Sequence, residues 1–109
     1  MGKLVNLTPH AINVAGTDGE VVLTVPPGGV IARVTTSQEV VGNIDGIDVV
    51  KTTFGTVEGL PEPTAGTTYV VSSLVLGRCQ DRDDVVAPDT GPTAIRKDGQ
   101  VVAVRRFQR

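Results

Sequence analysis

Glycine and proline constrain this chain more than any other feature. Thirteen Gly and seven Pro are spread through 109 residues. Glycine weakens helix and strand interiors alike, and proline removes a backbone donor, so the spacing predicts many turns and short elements. Between the breaks the apolar pattern is that of strands. Lys3–Asn6, Ala11–Val14, Glu20–Val25, Val30–Thr36, Ile47–Thr53 and Thr67–Val71 read as extended, several with an every-second-residue alternation. Thr17-Asp18-Gly19 and Asp98-Gly99 read as hairpin turns, because Asp-Gly accepts the positive φ such turns need. Asn43–Gly46 reads as another turn, and Ser37–Val41 fits either one helical turn or an extended run. Gly59-Leu60-Pro61-Glu62-Pro63 must be an extended connection, since each proline restricts its predecessor. The one stretch with helical character is Ser72–Cys79, which Ser72 or Ser73 can cap. The expected architecture is therefore mainly β: a small barrel or sandwich of short antiparallel strands, one short helix near 72–79, and a single domain over 1–109.

Composition narrows the function classes. The net charge is −2, and Phe54, Tyr69 and Phe107 are the only aromatics. A binder of long nucleic acid needs a basic footprint or a stacking platform, and neither is present. So few aromatics also predict an aliphatic core of Val, Ile and Leu. Seven of the ten basic residues nevertheless lie from Arg78 onward, which suits a local anion site or a solvated tail equally well. Cys79 is the single cysteine, so no disulfide framework forms within the chain. The start lacks the charged and apolar regions of a signal peptide, and no apolar run reaches the roughly 20 residues of a membrane span. The expectation is a cytoplasmic protein without membrane association.

Two places carry residue types suited to chemistry. In Asn6-Leu7-Thr8-Pro9-His10 the only imidazole stands beside an amide and a hydroxyl, a set that can bond a ribose, a base edge or a phosphate. The competing reading is that Asn6 and Thr8 bond the local backbone. In Arg78–Lys97, Arg82 and Arg96 flank Thr90-Gly91-Pro92-Thr93. Guanidinium forks match phosphate oxygens, and hydroxyls beside a Gly-bearing turn add donors. The same segment holds Asp81, Asp83, Asp84 and Asp89, oxygen ligands for a hard cation, but the interleaved arginines favour ion pairs over a metal. Neither a P-loop nor a dinucleotide fingerprint occurs, and no nucleophile with a partner base is evident.

Asn6-Leu7-Thr8-Pro9-His10, Gly59-Leu60-Pro61-Glu62-Pro63 and the run Arg82-Asp83-Asp84-Val85 to Pro88-Asp89-Thr90-Gly91-Pro92 together resemble a group of small uncharacterised proteins carried by phages and prophages. The resemblance covers almost the whole chain and implies expression in the cytoplasm of a bacterial host. Small phage proteins include virion parts, inhibitors of host enzymes, and anti-defence proteins that sequester nucleotide-type immune signals. On that footing the leading expectation is a non-enzymatic sponge for a small phosphorylated nucleotide, needing no cofactor and no metal. Arg82 and Arg96 would clamp phosphate, Thr90 and Thr93 would donate hydroxyl hydrogen bonds, and Asn6, Thr8 and His10 would read ribose or base. A small domain makes shallow pockets, so the site would lie between subunits of a homo-oligomer. The alternatives are a phage structural or assembly protein without a ligand pocket, and a metal-assisted phosphodiesterase using His10 with Asp83 or Asp84.

Overall fold

The computed structural model describes residues 2–79 and 81–109. The chain is mainly β with one short helix, as the periodicity predicts. In order the elements are β1 (Lys3–Asn6), β2 (Ile12–Ala15), β3 (Val21–Val25), β4 (Arg33–Ile44), β5 (Ile47–Glu58), β6 (Thr67–Val70), α1 (Ser73–Leu76), β7 (Val85–Pro88), β8 (Ile95–Lys97), β9 (Gln100–Ala103) and β10 (Phe107–Gln108). Among the described residues they form four open sheets, so the layered alternative holds and no barrel closes.

The central sheet has the order β1-β6-β7-β10. It is mixed: β1 and β7 both run parallel to β6, and β10 is antiparallel to β7. Parallel neighbours need a crossover, and α1 supplies the one between β6 and β7. The helix is a single turn. The Ser72 side chain accepts from the Val75 amide at its start, and Gly77 closes it. The other three sheets are antiparallel hairpins, β2–β3, β4–β5 and β8–β9. The turn Asp98-Gly99 has φ of 55° and 81°, and Asp45-Gly46 has 52° and 84°, the paired positive angles of a type I′ connection.

The core lies between the central sheet, α1 and the roots of β4 and β5. Leu7, Ala32, Tyr69, Val71, Val75, Cys79 and Val85 pack there, with Val34 and Val57 against them. Among the described residues no isoleucine is buried, whereas Ile31, Ile44 and Ile47 are exposed. The expected aliphatic core is thus built from smaller residues than foreseen, and much of the large apolar surface sits elsewhere.

The expectation of short elements fails for β4 and β5, which have 12 residues each. Gly42 and Gly55 lie inside these strands and coincide with shifts of register rather than with ends. At about 3.3 Å per residue, 12 residues extend roughly 40 Å. The hairpin stands out from the body as an arm. The radius of gyration is 16.7 Å and the longest extent 51 Å, against about 13 Å of gyration for a compact chain of this size.

Candidate functional site

The N-terminal motif is a buried bracket. Asn6 ends β1 and is 1% exposed. Its Nδ2 donates to the carbonyls of His10 (2.8 Å) and Val25 (3.0 Å). Its Oδ1 accepts from the Thr8 amide (2.9 Å) and the Thr8 hydroxyl (2.6 Å). All four hydrogen-bonding positions of the amide are filled by its own chain. The main chain beside it is also tied, since Leu7 N donates to Val70 O and Ala32 N donates to Leu7 O. Asn6 and Thr8 thus hold the strand interruption that Pro9 imposes, while His10 lies exposed at the outer end of the bracket.

The two arginines are likewise engaged. The Arg82 guanidinium meets Asp84 as a fork, Nε to Oδ1 at 2.7 Å and Nη2 to Oδ2 at 2.8 Å, and Nη2 also donates to Pro61 O. This contact holds the Asp84 carboxyl below the usual carboxylate range. It also fastens the Pro-rich connection to the start of β7. Arg96 reaches back over the turn before β8, its Nη2 to Thr90 O at 2.7 Å and Nη1 to Gly91 O at 3.2 Å. Asp89 holds the same turn from the other side. It accepts from Gly91 N and pairs with Arg106, and that arginine is the main cause of its lowered pKa.

The seven residues expected to bind ligand therefore fall into separate groups. Asn6, Thr8 and His10 are joined by hydrogen bonds, Thr90 and Arg96 share one turn, and Arg82 is anchored on Pro61 and Asp84. Thr93 has a buried hydroxyl oxygen with no partner among the described residues. Residues 11–13 do border the turn: a recess of about 170 Å³ is lined by Ala11–Asn13, Pro88, Thr90 and Val101–Val104. A larger recess, about 630 Å³, opens between α1 and the C-terminal strand. Arg82 lines it with Leu76, Cys79, Gln108 and Arg109, but so do Asp81 and Asp83, so its charges balance. Burial pushes the Cys79 thiol up, leaving it protonated and unreactive at neutral pH. Among the described residues no three His, Cys, Asp or Glu side chains gather as metal ligands.

The arm is the surface that the sequence reading missed. Ile44 pairs with Ile47 and Gly42 with Val49, which places Ile44, Ile47 and Val49 on one face. A register shift at Val41 sets Val40 and Val41 against Val50 on the opposite face. The outer part of the hairpin therefore exposes apolar residues on both faces, the second beside the Asn43–Asp48 hydrogen bond, and Ile44 and Ile47 are 65% and 70% exposed. Nearer the body Phe54 lies under the Arg78 guanidinium, 4.6 Å from the ring centre. The signal was present in the sequence. Asp45-Gly46 is the same turn dipeptide as Asp98-Gly99, and Ile44 and Ile47 flank it symmetrically. Reading Asn43–Gly46 as a turn without pairing Ser37–Val41 to Ile47–Thr53 hid the long hairpin. Comparison with protein-family models, curated proteins and solved structures finds no match for this chain.

Proposed function

We propose that the chain is a non-enzymatic phage or prophage structural protein, working inside the bacterial host, that assembles with further copies of itself through the β4–β5 arm. The observation that carries this reading is the two-sided apolar end of the arm. An isolated two-stranded hairpin is marginal in water, and one with large apolar residues exposed on both faces gains from burying either face. Exposed strand edges add a row of unpaired backbone groups on each side. Such an element gains most by being enclosed between protein surfaces. Lipid is a poor enclosure, because Asp45 and Asp48 stand at the extreme tip and carboxylates in hydrocarbon are costly. No helix among the described residues is long and apolar enough to cross a membrane.

Sedimentation of the purified chain tests the reading. The expected result is a concentration-dependent particle heavier than the 11.3 kDa chain. Ile44→Ser with Ile47→Ser should return it to one chain with an unchanged circular dichroism spectrum. A particle of one chain at every concentration would remove the reading.

The nucleotide sponge stands as the second reading, favoured by one observation, the 630 Å³ recess that Arg82 borders. Its volume lies in the usual range of ligand pockets. An anion there would draw Arg82 from Asp84 and face Asp81 and Asp83. Incubation with cyclic nucleotides and ADP-ribose variants decides it. A sponge raises the melting temperature and returns its ligand unchanged after heating, and Arg82→Ala abolishes both effects. No shift with any of these ligands rejects it.

A further inference from the structure

Self-assembly through the arm leaves open which surface of the neighbouring copy receives it. Two arms can pair with each other, or an arm can dock on a different patch. Charge separates these. Residues 33–58 carry Glu39, Asp45, Asp48 and Glu58 against Arg33 and Lys51, a net of −2. Asp45 stands in the turn between Ile44 and Ile47, and Asp48 follows on the opposite face, where it accepts from Asn43 Nδ2 at 3.0 Å. Arm against arm would bring these carboxylates together in a drying interface, where like charges are costly. Residues 95–109 carry Arg96, Lys97, Arg105, Arg106 and Arg109 against Asp98, a net of +4. The same segment presents an apolar spot of its own, since Val101 and Val102 on β9 are exposed. Arg96 lies directly across from Val101, so cation and apolar spot share a face. Lys97 adjoins the turn. The recess beside α1 offers no net positive charge, because Asp81 and Asp83 balance Arg82 and Arg109 there.

We infer that the tip of the arm docks on the β8–β9 hairpin of a second copy, with Ile44 and Ile47 on Val101 and Val102 and with Asp45, in the turn between the two isoleucines, facing Arg96 and Lys97. This rests on the self-assembly reading above and specifies its contact. Donor and receiver are different surfaces, so the contact is head-to-tail. Repetition of such a contact gives a ring if the rotation closes and a filament if it does not. The end of β9 is covered by β2 of its own chain, where Ala103 and Val104 are buried, but Val101 and Val102 stay exposed and open to a second copy.

A mixing experiment with the full chain tests the inference by light scattering after size separation. The arm-defective variant is Ile44→Ser with Ile47→Ser, and the receiver-defective variant is Lys97→Glu with Val102→Glu. Wild type should assemble beyond two copies, more strongly at low salt. Each variant alone should run as one chain, with association weakened by roughly tenfold or more. Mixed together they should form a pair and nothing larger, since one supplies an intact arm and the other an intact receiver. Asp45→Asn should weaken wild-type assembly, and adding it to Lys97→Glu should weaken association less than in the wild-type background. If wild type associates and the arm variant does not, but Lys97→Glu with Val102→Glu is without effect and the mixture forms no pair, the receiver is wrong and self-assembly stands. If wild type is one chain throughout, the self-assembly reading fails and this inference fails with it.

Discussion

Asn6 shows why residues suited to a ligand can be occupied by the fold instead. A buried amide that fills four positions with its own backbone has no valence left for a guest. Replacing Asn6 with Leu would keep the volume but remove the side-chain partner of the Val25 carbonyl and the Thr8 amide, and leave the His10 carbonyl to the Thr8 hydroxyl alone. The expected cost is about 3 kcal/mol, read from the urea midpoint. His10→Ala removes an exposed side chain and should change stability by no more than about 0.5 kcal/mol. The carboxylates of Asp84 and Asp89 give a second test at this scale. Their folded pKa values are depressed by Arg82 and Arg106 respectively. A depressed carboxyl contributes stability that is present above its unfolded pKa, about 3.9, and is lost as pH falls through the folded value. The melting temperature should therefore decline from about pH 5 downward. Asp84→Asn should lower the neutral-pH value by the equivalent of about 1–2 kcal/mol and flatten the acid decline. An unchanged acid slope in that variant would mean that the Arg82 fork adds nothing to stability.

Glycines mark the difference between a break and a bend at the scale of elements. Gly59 follows β5 with φ +81°, and a Cβ there would stand 2.4 Å from the Ile31 carbonyl oxygen. Gly59→Ala should cost about 2–4 kcal/mol, through both backbone strain and the clash. Gly42 lies at the register shift of the arm, with no positive φ and open space where a Cβ would go. Gly42→Ala should be neutral or slightly stabilising, because it mainly restricts the unfolded chain. Denaturant midpoints of the pair check this contrast, and equal losses would contradict it. From sequence alone the two glycines read alike, as punctuation. The turn at Asp98-Gly99 was legible because Asp-Gly turn chemistry is local. The arm was not, because two register shifts break its alternation: one sets Val40 and Val41 on the same face, the other falls at Gly55. The mixed central sheet was also illegible, since nothing in Lys3–Asn6 states which of several later strands it will join. For the candidate site, residue types were legible and their occupancy was not. Whether Arg82 meets a ligand or Asp84 depends on a side-chain geometry that only the fold fixes.

The whole molecule behaves as a small body carrying a long lever. The buried cluster draws only on the root of the arm, through Val34 and Val57, and on nothing beyond Thr36. The outer hairpin therefore owes its order to its turn and its ladder, and the body does not depend on it. Ser37 faces Thr53 in the register, so a two-residue Asp-Gly turn can join them directly. Replacing Gln38–Thr52 by Asp-Gly should leave one cooperative melt within about 5 °C of the full chain, since surface changes away from the core shift stability by no more than about 0.5 kcal/mol. The shortened chain should scatter X-rays as a compact particle, with a radius of gyration near the roughly 13 Å expected for its size. It should stay a single chain where the full protein assembles. A loss of more than about 10 °C would instead make the outer hairpin part of the cooperative fold. That would be inconsistent with a core cluster confined to the body and would shift the purpose of the exposed isoleucines from joining copies to stabilising one.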